Sequence, residues 1–259
     1  MKFDKPPVVE VACGVAFQLP KPLKTAHVGL YWSLVSSEFP RCDDAEPVAH
    51  TVELPGESDS TDPSIQFQTV ALPPLRRAWL INQEGTHLLQ IQEDRFLFNW
   101  KRVTGSPAYP SYEQVISDFD VQWNRFRRFL VDQDLGEPTL TQFELSYFNF
   151  VEDGFHGLFK DHVRERSDSR FLPDPEACTF KEVYTLPDSA GRLHILAGTA
   201  RNRATGKKGV RLEITARGML PDTAHSDYRK WFDTAHEWIT HGFADMTDAK
   251  FHSIWERTS

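Results

Sequence analysis

Residues 111–151, SYEQVISDFDVQWNRFRRFLVDQDLGEPTLTQFELSYFNFV, hold the two elements around which the rest of the chain is arranged. Ser111-Tyr112-Glu113-Gln114 has the form of a capping box, in which the serine hydroxyl takes one orphan helix amide and Gln114 reaches back to another. Beyond it Val115, Ile116, Phe119, Trp123, Phe126 and Leu130 recur at steps of three and four, which gathers them on one helix face. Gly136-Glu137-Pro138 ends the helix. From Thr141 to Val151 the period falls to two: Phe143, Leu145, Tyr147 and Asn149 alternate with Glu144, Ser146, Phe148 and Phe150. One face is polar near the start and both are apolar near the end, which predicts a central strand. A one-sided helix must bury its stripe, and a central strand offers the surface, so the pair predicts helices laid across one face of a sheet.

Working outward, 8–18 (VVEVACGVAFQ) reads as a strand after Pro6-Pro7. Thr25 is expected to cap a helix with Leu30, Tyr31, Leu34 and Val35 on one face, stopped by Pro40. Residues 41–63 carry seven acids against Arg41 alone, with three prolines, and read as a solvated loop with one short strand at 50–54. Strand-like runs follow at 65–72, 77–83 and 87–101, the last two joined by a tight Glu84-Gly85 turn that makes them antiparallel. Residues 152–178 read as a mixed connection. Further strands are expected at 179–186, 192–201 and 210–218, then a helix from Ser226 through Phe243 and a short one near 248–255. The order β-α-β-β-β-α-β-β-β-β-α predicts an α+β fold, a twisted antiparallel sheet with helices on one face. Its N-terminal part is expected to form a ferredoxin-like unit extended by further strands, with a helix-grip arrangement as the alternative. The whole of 1–259 is expected as one domain, or as packed halves 1–151 and 152–259.

Apolar residues at 40% and charged residues at 25% are those of a globular chain. No window approaches the roughly 20 apolar residues of a spanning helix, and MKFDKPPVVEV opens with an acid and two prolines where a leader has its apolar run. No membrane partner and a cytoplasmic location are therefore expected. Cys13, Cys42 and Cys178 are odd in number and scattered, which predicts neither a disulfide framework nor a zinc site.

His236-Glu237-Trp238-Ile239-Thr240-His241 is close to the HExxH zinc helix, but five residues put the second histidine about 140° round from the first, and one ion cannot take both. GTARNRATGK, residues 198–207, has its glycines eight apart in a strand-to-strand setting and is no P-loop. No metal and no cofactor are expected. Cys13 lies in an apolar strand and there is no GxSxG, so no nucleophile stands out. The charge of the 192–217 hairpin does stand out: Arg192, Arg201, Arg203, Lys207, Lys208, Arg211 and Arg217 against Glu213 alone, in a chain of net charge −8. Guanidinium forks on a projecting hairpin suit phosphate, so Arg201, Arg203, Lys207, Lys208 and Arg211 are candidate RNA or DNA contacts. A hairpin kept soluble by charge, or paired with the acidic 41–63 stretch, is the structural alternative. His87 and His194 are the candidate acid–base groups of a metal-independent nuclease, and equally ordinary strand histidines. Trp79, Phe96, Phe98 and Trp100 suit base stacking, but 96, 98 and 100 share one face and fit a core layer better.

Several stretches together resemble a known group: Pro6-Pro7-Val8-Val9-Glu10-Val11; PAYPSYEQ at 107–114 leading into a Trp-containing helix; Ser146-Tyr147-Phe148-Asn149; and Ala235-His236-Glu237 through Phe243, Met246-Thr247 and His252. The chain resembles, over nearly its whole length, a bacterial family of about 250 residues, sporadically distributed and without an assigned function. It departs at Phe150, where the family tends to carry arginine after the strand asparagine. Sporadic distribution implies mobile genes, as in defence and other accessory loci. The expectation is a non-catalytic accessory or adaptor protein binding another macromolecule, a protein first, with nucleic acid at the hairpin as the alternative. Asn149, a family-matched amide in an apolar strand, is the buried polar candidate, for a hydrogen bond to a neighbouring loop or for a ligand.

Overall fold

Nine strands form a single antiparallel sheet in the order β2-β3-β4-β5-β1-β6-β9-β8-β7. The computed structural model describes residues 2–48, 53, 75–103, 105–106, 108–152, 171, 176–202, 206–219 and 228–258. At the centre β1 (Val8–Gln18) pairs with β6 (Thr139–Val151), Cys13 opposite Leu145. On one side follow β5 (Arg95–Lys101), β4 (His87–Gln92), β3 (Arg77–Ile81) and β2 (Arg41–Ala45). On the other lie β9 (Lys208–Gly218), β8 (Arg192–Arg201) and β7 (Thr179–Thr185). The helices are α1 (Thr25–Val35), α2 (Tyr112–Asp132), α3 (Tyr228–Asp245) and α4 (Ala249–Ile254). α2 lies against β5 and β1, and α3 against β9, β6 and β8. This is the expected α+β class.

The chain goes through one plan twice. β1 is followed by the meander β2–β5, which ends beside β1, and then by α2; β6 is followed by the meander β7–β9, which ends beside β6, and then by α3. The expected ferredoxin-like start extended by further strands fits the N-terminal order: in β6-β1-β5-β4 each neighbouring pair is antiparallel, with β1 and β4 parallel across β5, and β3 and β2 extend the unit at the edge. The run at 87–101, expected as one strand, is a hairpin turning at Glu93-Asp94. That hairpin lengthens the meander by a strand, so the chain returns to β1 from the far edge.

The core is the layer between helices and sheet. Phe96, Phe98 and Trp100 are buried on its face, and Phe96 meets Phe119, Trp123 and Phe126 of α2 at 6.4, 5.6 and 5.0 Å between ring centroids. Each such ring buried contributes roughly 1.5–3 kcal/mol by area. Two readings of α1 are corrected. Its N-cap is Lys24, whose N–H donates to His27 Nδ1 at 3.1 Å, and its buried stripe is Val28, Tyr31 and Val35, while Leu30 and Leu34 are exposed. The spacing of 28, 31 and 35 follows the helical turn more closely, and Tyr31 meets Phe126 edge-on. Residues 41–45 form an edge strand where a loop was expected, held by pairing with β3 and kept soluble by its charges. The strands expected at 50–54 and 65–72 lie outside the described residues apart from Glu53. None of the helices in the described residues is long and apolar enough to cross a membrane.

Candidate functional site

The start of α2, the end of β6 and the middle of α3 enclose a cavity of about 370 Å³. Ser111 is the N-cap of α2, accepting from the Gln114 amide at 3.2 Å, and the turn before it sets Tyr109 and Pro110 at the cavity wall. On β6, Tyr147 and Asn149 face the helices by strand alternation. On α3, His236, Ile239, Thr240 and Phe243 stand at helical spacing toward the same space. The N-terminal segment closes the remaining side. Its backbone is tied to the end of the chain by Asp4 N–H to Glu256 O and Lys5 N–H to Trp255 O, both 3.1 Å, and Phe3 packs edge-on against Phe243 at 5.3 Å.

The lining is aromatic with polar points. The Tyr109 and Tyr147 hydroxyls share a hydrogen bond of 2.8 Å, and Tyr112 donates to Asp233 Oδ1 at 2.7 Å. Burial raises all three phenols well above their ordinary pKa, so they stay protonated. The His236 imidazole stacks on Tyr112, centroids 4.0 Å apart and 4° from parallel. Burial pushes its pKa down to about 4, against the opposing pull of Glu113, so it is neutral at pH 7. Glu113 is held below the usual carboxylate range by its own backbone amide and by Ser111. Asn149 is 2% exposed and donates from Nδ2 to Leu212 O at 3.3 Å. The bond runs to the backbone of the neighbouring strand β9 and not to a loop, and the side chain also lines the cavity. What the site offers is a set of donors, acceptors and ring faces, with Lys2, Asp4 and Glu113 as charges in its lining, of a size suited to a small molecule or to one or two side chains.

Four stretches remote in sequence meet here: 6–8, 109–113, 147–149 and 236–243. His236 and Tyr147 were not singled out in the sequence as site residues. The signal for His236 was present in the rejected zinc motif, since it and His241 line different cavities on two sides of α3. Among the described residues there is no group of metal-ligating side chains.

The other candidates are dispersed. His87 and His194 stand on β4 and β8, four strands intervening and on opposite faces of the sheet, so they do not form an acid–base pair. His87 stacks on Phe98, and burial lowers its pKa. Cys13 is buried with its thiol raised, by burial first, far above the reactive range. Of the hairpin cations, Arg201 donates to Gly206 O at 2.6 Å, Lys207 meets Glu152 at 2.7 Å and Arg211 meets Glu213 at 2.9 Å and lies over the Phe148 ring. Lys208 is exposed, and Arg203 lies outside the described residues. The acidic stretch does meet this hairpin, but at its base. The Glu53 carboxylate, 5% exposed, takes Arg192 Nη1 at 2.9 Å, His194 Nε2 at 2.6 Å and Arg217 Nη1 at 3.6 Å.

A scan against protein-family models returns no match, and neither does a search of curated proteins or of solved structures.

Proposed function

We propose that the protein is a non-catalytic adaptor that holds another protein by seating one or two of its side chains in the cavity between α2, β6 and α3. The observation that carries this reading is the convergence of 6–8, 109–113, 147–149 and 236–243 on one aromatic-walled space. Tyr109, Tyr147 and His236 offer ring faces and edges to an aromatic or aliphatic anchor, a geometry suited to a binding hot spot. Asn149 and the Tyr109–Tyr147 hydroxyl pair offer hydrogen bonds to its polar end. The non-catalytic reading is supported by the use of the Ser111 hydroxyl in the cap and by the burial of the Cys13 thiol. The resemblance described above supports a bacterial protein of a mobile or defence-type system, and the opening residues with the lack of a long apolar run support a cytoplasmic one.

A tagged protein isolated from its own host tests this, with the eluate divided between mass spectrometry and absorbance at 260 nm. Thr240→Trp fills the cavity from α3. The expected result is a stoichiometric protein partner with the wild type and at least about tenfold less with the variant, at an unchanged melting temperature. Nucleic acid that elutes with salt from both proteins would favour the basic hairpin instead.

A further inference from the structure

On its other side α3 overlooks a second cavity of about 370 Å³, set between the helix and the last two strands of the sheet. Every residue that lines it is among those described. Leu193 and Ile195 of β8 form its floor, pointing to the helix side by strand alternation. Gly242 lets α3 come down beside them, since a Cβ there would stand 3.3 Å from Leu193 Cδ2 and 3.6 Å from Ile195 Cδ1. Tyr184 of β7, directly opposite Leu193, and Trp238 of α3 add two rings to the walls. Glu237, His241 and Asp245 recur at four-residue steps along α3, so both carboxylates stand on the helix face that borders the cavity.

These groups are not spent on the rest of the chain. Among the described residues, neither the Glu237 nor the Asp245 carboxylate has a cation or a hydrogen-bond donor, and neither Trp238 nor Tyr184 is stacked on another ring or covered by a cation. No lysine or arginine lines the cavity, and its acids and His241 do not gather into a metal-ligating group. The Tyr184 hydroxyl donates to Glu182 Oε2 at 2.6 Å, the main cause of a phenol pKa pushed up to about 12. The Asp245 charge adds to that rise, which sets its carboxylate near the tyrosine across the cavity.

An apolar floor, two rings without partners and two unpaired carboxylates together select one ligand chemistry. A neutral apolar molecule would leave the carboxylates unused, an anion would be repelled by them, and a bare metal ion would gain nothing from the floor. An organic ammonium uses all three: its charge is attracted by the carboxylates and by the ring quadrupoles, and its carbons cover the floor. We infer that this cavity binds an organic ammonium ion, the free amine of a small molecule or the side-chain amine of a lysine. The hydrocarbon part lies on Leu193 and Ile195, and the charged end is held by Trp238, Tyr184, Glu237 and Asp245. This site is separate from the α2–β6–α3 cavity, and its test does not depend on that reading.

An amide-resolved NMR titration of the full chain with butylammonium chloride, and with butanol as the uncharged isostere, tests the proposal at constant ionic strength. Saturable shifts are expected at 184, 193–195 and 237–246, with butanol bound at least about tenfold more weakly. The double variant Glu237→Gln, Asp245→Asn changes two exposed side chains, and it is expected to keep the folded spectrum and to bind butylammonium at least about tenfold more weakly than the wild type. Acetyl-lysine methylamide distinguishes the two sources: binding as tight as that of butylammonium assigns the cavity to a lysine side chain, and its exclusion assigns the cavity to a free amine. Equal affinity for butylammonium and butanol, equal affinity of wild type and double variant, or no saturable shift in those segments would overturn the proposal.

Discussion

Glu53 shows at the scale of one residue how an acidic stretch and a basic hairpin find each other. Burial alone would raise its pKa, but the hydrogen bond and charge of His194, with Arg217 and Arg192, outweigh burial and hold it below the usual carboxylate range. A group whose folded pKa is depressed stabilises the fold above its unfolded value, and that contribution fades as pH falls through the folded one. Glu53→Gln is therefore expected to cost roughly 3 kcal/mol at pH 7, by leaving Arg192, Arg217 and His194 without their carboxylate. The gap from the wild type should close as pH falls through the ordinary carboxylate range and below it. Denaturant titrations at several pH values measure it; a gap independent of pH would mean that Glu53 acts by packing alone. The sequence showed both charge runs but could not pair them, since Glu53 and Arg192 are 139 residues apart and only the strand register brings Arg192 beside Arg217.

At the scale of elements, α2 and β6 were legible because each has one dominant period. Where two signals compete the outcome was harder to read: α1 has two apolar stripes and only packing decides between them, and the acids of 41–45 conceal a strand whose pairing partner lies beyond residue 75. The β8–β9 pair holds a constraint that no periodicity reveals. Gly191, at φ +134°, passes so close to Gly218 that a Cβ on it would lie 2.1 Å from Arg217 O and 2.6 Å from the Gly218 Cα. Such backbone contact cannot relax by a rotamer change, and the φ is itself strained for any other residue. Gly191→Ala is expected to destabilise by at least about 2 kcal/mol, with earlier unfolding in urea. An unchanged midpoint would show that the approach of β9 to the 187–191 turn is not needed. The same turn supplies Ala190 O to Trp231 Nε1 at 2.9 Å, so the strain bears on the seating of α3.

At the scale of the molecule, the twofold use of one plan was not visible in the sequence, because the halves share strand order and helix placement without sharing a residue pattern. The site was visible only in part. Asn149 stood out as an amide among apolar neighbours, whereas Tyr109, Tyr147 and His236 look like ordinary core residues until the topology brings β6, α2 and α3 together. The plan itself explains the location: β6 is central, α2 and α3 both cross near it, and the N-terminal segment closes the gap between them. The central claim is that this gap, and not the hairpin, receives the partner. Amide hydrogen exchange of the protein alone and in its isolated complex tests it most directly. The account predicts that partner binding slows exchange together in 2–8, 109–113 and 236–243; protection confined to 201–211, with those three segments unchanged, would contradict it.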